Sequence, residues 1–400
     1  MTGRPDLLLA FDFPPMGGGI ARWMSEVAQR YPPGELVIST GTVPGHSAVD
    51  STMPNVVDRI SLPSSRLRTL WGQLRWGRQV LRLDGRYGFR FGWCDNIRPS
   101  AYPANLLARR RGVPYGVILH GSDLFDLRRN YRRSRLKRLV ARRLLGAANA
   151  VVTNSQWTAG LAREVLGELG LERSLSRVRV VPLGTDPARF HPGIDPTGFR
   201  RERGLPEGRW IVTVARLELY KGVDVVIRAL RLLSQISGEL HYAVVGEGSA
   251  RAELEAIAHA EGVADRVHFL GRVPDHSLPD AYALADVYAG MTRQTEREVE
   301  GFGIALVEAQ ACAKPVVAGR GGGTADAVRH GETGLLVDPL DPAAVAAAVN
   351  ELLTDRSRAV ALARAGRLAV ERYYNWDRVV ADLRAIGAEI DAVRRAGSSG

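Results

Sequence analysis

Short apolar runs alternate with stretches of helical period almost from end to end of the 400 residues. Leu7–Phe13, Leu36–Thr40, Tyr87–Trp93, Tyr115–His120, Ala150–Asn154 and Val178–Leu183 read as strands. Parallel neighbours need a crossover between them, usually a helix, so this alternation predicts a doubly wound parallel sheet. Residues 182–192 then break the pattern with Pro182, Gly184, Pro187 and Pro192, a turn-rich text without period. The alternation restarts with Trp210–Arg216, Tyr242–Val245, Val267–Leu270, Asp286–Ala289, Pro315–Ala318 and Leu335–Val337. The expectation is an α/β chain of two Rossmann-like domains, residues 1–185 and 186–375, facing across a cleft at the carboxyl ends of their strands, where open sheets bind ligands. Ala343 to Ile390 reads as helices rich in Ala, Leu and Arg, and residues 396–400 as a frayed end.

Composition narrows the class. A hydrophobic fraction of 45% supports two ordinary cores. The apolar runs fall short of the roughly 20 residues that span a bilayer. The start, Asp6 followed by Leu7-Leu8-Leu9, reads as a first strand rather than a signal peptide, so a cytoplasmic protein is expected. Cys94 and Cys312 stand far apart without metal-ligand spacing and read as buried thiols. The net charge of +11 is almost all arginine, since Lys occurs only at 137, 221 and 314. Nine cations crowd Arg128–Arg143, and seven arginines lie between Arg66 and Arg90. Such a surface attracts anionic lipid or, without sequence preference, nucleic acid. The plainer reading is that Leu136, Leu139, Val140 and Leu144 pack inward beneath a solvated arginine face.

The strongest chemical signal is Glu300-Gly301-Phe302-Gly303-Ile304 leading to Glu308. Its glycines favour a turn, and the residues from Ile304 to Ala313 have helical composition. Eight helical positions separate two carboxylates by roughly 12 Å, too far for a retaining-glycosidase pair at about 5 Å. The spacing suits a long ligand, with one acid at a sugar, the helix start at Phe302, Gly303 and Ile304 at a diphosphate, and the other acid at a ribose. Alone, the pair would equally fit a capping Glu300 and a solvated Glu308.

Arg216 and Lys221 follow the strand Ile211–Ala215 and would deliver positive charge to a diphosphate leaving group. Gly17-Gly18-Gly19 follows the first strand and lets backbone amides approach phosphate, although it does not match GxGxxG. His120-Gly121-Ser122-Asp123 ends another strand; His120 could position a donor sugar, with Asp123 either a base or a helix cap. Arg320-Gly321-Gly322-Gly323 is another glycine-rich turn after a strand, at a cleft edge, and Gly246-Glu247-Gly248 and Gly271-Arg272-Val273 follow two further strands and could meet phosphate or nucleobase.

Taken together and in order, Phe13-Pro14-Pro15, His120-Gly121, Val152-Thr153-Asn154-Ser155, Arg216 with Lys221, Phe269–Val273 and the Glu300/Glu308 block resemble the retaining glycosyltransferases of family 4, which include phosphatidylinositol mannoside mannosyltransferases. The resemblance implies a GT-B fold, with the tail 376–400 returning from Trp376 to the acceptor-binding first domain. It implies that Glu300 contacts the donor sugar, Glu308 the ribose, Arg216 and Lys221 the diphosphate, Gly18 and Gly19 a phosphate, and Gly271-Arg272-Val273 the base. Asp123 stands where relatives often carry Glu, and Thr324-Ala325-Asp326 departs from their usual wording, so the exact sugar is left open.

No Asp-x-Asp pair is present to hold a metal against a diphosphate. The expectation is therefore a hexosyltransferase with no metal and no cofactor beyond its nucleotide-sugar co-substrate, acting by same-face attack. GDP-mannose ranks first as donor, and UDP-glucose or UDP-N-acetylglucosamine second. The acceptor is a glycolipid or saccharide, and the Arg128–Arg143 segment is a candidate for peripheral attachment to an anionic membrane. Two rivals remain: an epimerase or hydrolase of nucleotide sugars on the same fold, and a non-enzymic basic module for lipid or nucleic acid.

Overall fold

The structure, a computed structural model, describes residues 4–233 and 239–397. Residues 398–400, most of the end expected to fray, lie outside the described residues. The chain divides into two compact units, Met1–Val181 with Trp376–Gly400, and Pro182–Asn375. The turn-rich stretch at 182–192 thus opens the second unit.

The first unit holds a seven-stranded parallel sheet of β1 (Asp6–Leu9), β2 (Leu36–Thr42), β3 (Val56–Pro63), β4 (Gly92–Cys94), β5 (Tyr115–Leu119), β6 (Ala150–Thr153) and β7 (Val178–Val180), ordered β3-β2-β1-β4-β5-β6-β7. Leu7, Val37, Val117 and Val151 form one face of its core with Trp76, Val80 and Leu144 from the covering helices. Two corrections to the sequence reading apply. β3 was not expected, and Tyr87, placed at the start of a strand, ends the helix Leu70–Tyr87, which Thr69 caps by accepting from Gly72 N. The tail helix, Trp376–Gly397, belongs to this unit and packs on the helix Gly19–Arg30. Gly387 lies beside the Phe91 side chain, and Arg394 donates to the Gly112 carbonyl at 3.0 Å.

The second unit carries β8 (Arg209–Val214), β9 (Leu240–Val245), β10 (Val267–Gly271), β11 (Val287–Gly290), β12 (Val316–Gly319) and β13 (Leu335–Val337), all parallel and ordered β10-β9-β8-β11-β12-β13. Side chains alternate across this sheet with the period of two that strands impose. Ile211, Tyr242 and Val244 pack one way with Val226, Leu230 and Val349. Trp210, Val212, Ala243 and Val245 pack the other way with Phe199 and Leu284. Both faces are covered, as an all-parallel sheet requires. Cys94 and Cys312 are free and buried, and burial pushes the Cys312 thiol up to about 12. Among the described residues no helix is long and apolar enough to cross a membrane.

Candidate active site

In each sheet the strand order reverses beside the first strand of the unit, between β1 and β4 and between β8 and β11. Open α/β sheets bind ligands beyond the carboxyl ends of the strands at such a reversal. In the second unit the segment after β8 carries Arg216 and Lys221, and the segment after β11 carries Glu300. The topology therefore brings together residues 79 positions apart: Lys221 Nζ stands 2.7 Å from Glu300 Oε2. Both side chains are largely covered, 15% and 23% exposed. Burial works against the charge of Lys221, but the Glu300 carboxylate and Tyr220 outweigh it, and the ammonium is held above its ordinary pKa.

Local geometry explains how Lys221 arrives there. A single 3₁₀ turn, Leu219–Lys221, ends on Gly222 at φ 71°, a conformation that favours glycine. A methyl group on Gly222 would overlap the Met291 carbonyl just beyond β11, so the two segments approach through this glycine. Arg216 reaches back from the strand end, its Nη2 donating to Tyr220 Oη at 3.0 Å. That hydrogen bond, ahead of the cost of burial, holds the guanidinium pKa above its usual value. Tyr220 also lies beneath the ammonium of Lys221, 4.8 Å from ring centre to Nζ, and its carbonyl accepts from Arg293 N at 2.8 Å. The sequence reading passed over Tyr220, although it stands inside the Arg216–Lys221 stretch.

Glu300 and Glu308 flank the start of the helix Ile304–Ala311, and neither takes the plainer role weighed for it. The helix is capped by Gly303 at φ 94° without a side-chain bond, while Glu300 holds Lys221. Glu308 is 2% exposed, and its Oε2 accepts from Tyr282 Oη at 2.6 Å. Tyr282 is a second residue that sequence reasoning missed. Phe302 is buried against Tyr374, with ring centres 5.9 Å apart, and shares a core with Leu306, so its side chain is packing.

The glycine turns have packing duties of their own. Gly323 N donates to the Glu300 carbonyl at 2.8 Å, and Gly322, at φ 56°, lies so close to that carbonyl that a methyl group would overlap it. Gly246 and Gly248 lie against the backbone of Ala215 and Leu217, and Gly246 N donates to the Gly271 carbonyl at 2.8 Å. These turns thus stack beside Arg216. Arg272 is exposed, while the side chain of Val273 is buried.

His120, Gly18 and Gly19 belong to the first unit. Gly17, Gly18 and Gly19 are exposed with open space around them, and Gly18 at φ 122° opens the helix Gly19–Arg30. That helix sets Trp23 edge-on to His120, with ring centres 4.9 Å apart. His120 Nε2 stands 2.5 Å from the Asp95 carbonyl oxygen, so this nitrogen carries a proton. Asp123 is not the N-cap: Gly121 caps the helix Ser122–Arg133, and Asp123 Oδ1 accepts from the N–H groups of His120, Gly121 and Leu124. Burial raises its pKa, against the pull of His120 and these bonds.

The basic segment splits in two. Arg128, Arg129 and Arg132 pair with Glu164, Glu168 and Asp126 at 2.6 to 3.0 Å. On the next helix, Arg135–Ala147, Leu144 is buried, yet Leu136 and Leu139 are 70% and 63% exposed beside Arg135, Arg142 and Arg143. The plainer of the two readings, in which all four apolar residues pack inward, therefore fails for Leu136 and Leu139.

Comparison with known proteins shows the family. Residues 17–189 match the family described as Glycosyltransferase Family 4, and residues 197–369 match Glycosyl transferases group 1. A GDP-mannose-dependent alpha-(1-6)-phosphatidylinositol monomannoside mannosyltransferase of Mycobacterium tuberculosis is 32% identical over 403 residues, covering 97% of this chain and 99% of that protein. The chain belongs to glycosyltransferase family 4. A second relative, a D-inositol 3-phosphate glycosyltransferase of Acidothermus cellulolyticus, is 38% identical over 63% of this chain and 56% of its own length. Among solved structures, HepE of Anabaena in complex with UDP and glucose aligns at TM-score 0.75, 20% identical, covering 97% of this chain and all of that one. Sucrose-phosphate synthase of Thermosynechococcus elongatus aligns at 0.76, 21% identical, covering 98% and 100%. Both likenesses bear on the fold alone, which is GT-B. As a family 4 glycosyltransferase the protein is an enzyme, which removes the non-enzymic rival.

Proposed function

We propose that the enzyme moves a mannosyl group from GDP-mannose to a hydroxyl of a membrane glycolipid, with retention at the anomeric carbon and without a metal ion. The observation that carries this reading is Lys221 held on Glu300 at the strand reversal of the second unit, in a chain so like an enzyme named for GDP-mannose. Lys221 and Arg216 would take the diphosphate, where negative charge develops as the glycosidic bond breaks, doing what a divalent cation does elsewhere. Glu300 would contact the hexose and Glu308, aimed by Tyr282, the ribose. The N–H groups at Phe302, Gly303 and Ile304 would meet phosphate, and the backbone of Gly246 and Gly271–Val273 the base. Within the first unit, the open backbone at Gly18 and Gly19 would suit a phosphate, and the His120 imidazole a sugar hydroxyl.

In the transfer, the bond from the anomeric carbon to the diphosphate oxygen breaks. The acceptor oxygen bonds the same face, and its proton passes to the departing oxygen. The donor is a co-substrate, and no further cofactor is proposed. UDP-glucose and UDP-N-acetylglucosamine are the next donors in rank. Exposed Leu136 and Leu139 among Arg135, Arg142 and Arg143 support peripheral attachment to the anionic inner face of the plasma membrane, worth about 1 kcal/mol per cation near the surface.

The test offers radiolabelled GDP-mannose, UDP-glucose and UDP-N-acetylglucosamine with a membrane lipid extract, with and without a chelator. Label from GDP-mannose should enter lipid in α-linkage, unaffected by chelation. Preference for a UDP-sugar, or loss of transfer on chelation, would contradict the reading.

A further inference from the structure

The segment that leaves β11 carries Glu300, and it is fastened at both ends. At the far end the Glu300 carbonyl accepts from Gly323 N at 2.8 Å. In between, residues 294–297 are exposed, and Thr295 N donates to the Glu298 carbonyl at 2.8 Å, so this stretch turns back on itself. The near fastening is Arg293. Its N–H donates to the Tyr220 carbonyl at 2.8 Å, and its Nη1 donates to both carboxylate oxygens of Asp224 at 3.1 Å.

These two partners stand on either side of Lys221. Tyr220 precedes it in the 3₁₀ turn Leu219–Lys221, and Asp224 lies in the first turn of the helix Val223–Leu233, just beyond Gly222. One arginine therefore straddles the residue whose ammonium meets Glu300 at 2.7 Å. Asp224 is buried and also accepts from Arg228 at 2.9 Å, but Arg228 is 40% exposed against 20% for Arg293. A buried carboxylate is held by its charged partners, and a planar guanidinium fixes direction as well as charge. The charge of Arg293 is committed to Asp224, so its effect on a ligand runs through the turn it holds.

Resting on the reading that Lys221 and Arg216 grip a diphosphate, we propose that Arg293 is a positioning residue for donor binding, setting Lys221 through Tyr220 and Asp224. Tyr220 Oη accepts from Arg216 and its ring lies beneath the Lys221 ammonium, so the turn that Arg293 holds carries a contact to each cation. A turn fixed in advance presents both cations without first being ordered by the ligand. Released at Asp224, the same turn keeps its charges but loses their aim, and a displacement of about 1 Å by a supporting residue is enough to cost a site up to about 100-fold.

Calorimetric titration of GDP into the whole chain compares the wild type with Arg293→Gln, Asp224→Asn, Arg228→Gln and Lys221→Ala. Arg293→Gln and Asp224→Asn should each weaken GDP binding at least about fivefold, and by similar factors, because they break one contact. Arg228→Gln strips the other cation from the same carboxylate and should bind within about twofold of the wild type. A role exercised through Lys221 predicts that Arg293→Gln costs less than about twofold once Lys221 is already alanine, whereas a loss of structure alone repeats in full. Should Arg293→Gln not fold, Asp224→Asn combined with Lys221→Ala carries the same comparison. Normal GDP binding in Arg293→Gln, an equal loss in Arg228→Gln, or a full loss repeated on Lys221→Ala overturns the proposal. Lys221→Ala separates the failures. If it binds GDP as the wild type does, the donor reading falls and this proposal with it; if it is weakened while Arg293→Gln is not, this proposal falls alone.

Discussion

Lys221 and Glu300 pair across 2.7 Å, so the ammonium proposed for a diphosphate is already engaged by the carboxylate proposed for the sugar. Donor binding has to loosen that pair, and the two residues should respond to mutation in opposite ways. Glu300→Gln removes the competing charge while nearly keeping shape. GDP should bind as tightly as before or tighter, while transfer falls by about 100-fold, the order of loss when one group stabilising a transition state is removed. Steady-state kinetics beside GDP affinity checks this, and parallel loss of both would speak against the assignment. Lys221 was legible in the sequence because the chain writes arginine almost everywhere else. Tyr220 and Tyr282 were not, because what they do depends on partners that only folding brings near. Glu308 shows a similar limit: the sequence marked it as an acid of interest but left its burial open.

At the scale of elements, the strand-end glycines were visible as turns, but their duty was not. The sequence marks Gly321-Gly322-Gly323 as a glycine-rich turn at a strand end; the structure adds that Gly322 lies against the Glu300 carbonyl at a φ few other residues adopt comfortably. Gly322→Ala should therefore displace Glu300, lowering transfer at least tenfold and the melting temperature by a few degrees. Gly321→Ala, whose Cβ would stand 3.6 Å from the Thr292 carbonyl, should change little. Activity and thermal melts of the two variants settle the comparison, and equal behaviour would contradict the packing account. The strands buried on both faces were legible as apolar runs. β3 was not, because it is an edge strand with Asp58 and Arg59 at its middle and Val56 48% exposed, which leaves no continuous hydrophobic text. The start of β4 was misjudged for a different reason: Tyr87 and Phe91 look alike in a list of aromatics, but Gly88 ends a helix between them.

For the whole molecule, each parallel sheet reverses its strand order once; the ion pair lies beyond the reversal in the second unit, and a cavity lined by Asp12, Asn96 and Asp123 beyond the one in the first. The alternation of strand and helix was enough to expect both sheets, and the turn-rich stretch at 182–192 to separate them. The cavity was not legible, because Asp12, Asn96 and Asp123 are common residues that only the fold brings to one lining. The account as a whole rests on the second unit gripping a sugar nucleotide by its diphosphate. Calorimetric titration of GDP-mannose into the wild type and Lys221→Ala tests this most directly. The account predicts that the variant stays folded and binds at least tenfold more weakly; equal affinity in the two proteins would contradict it.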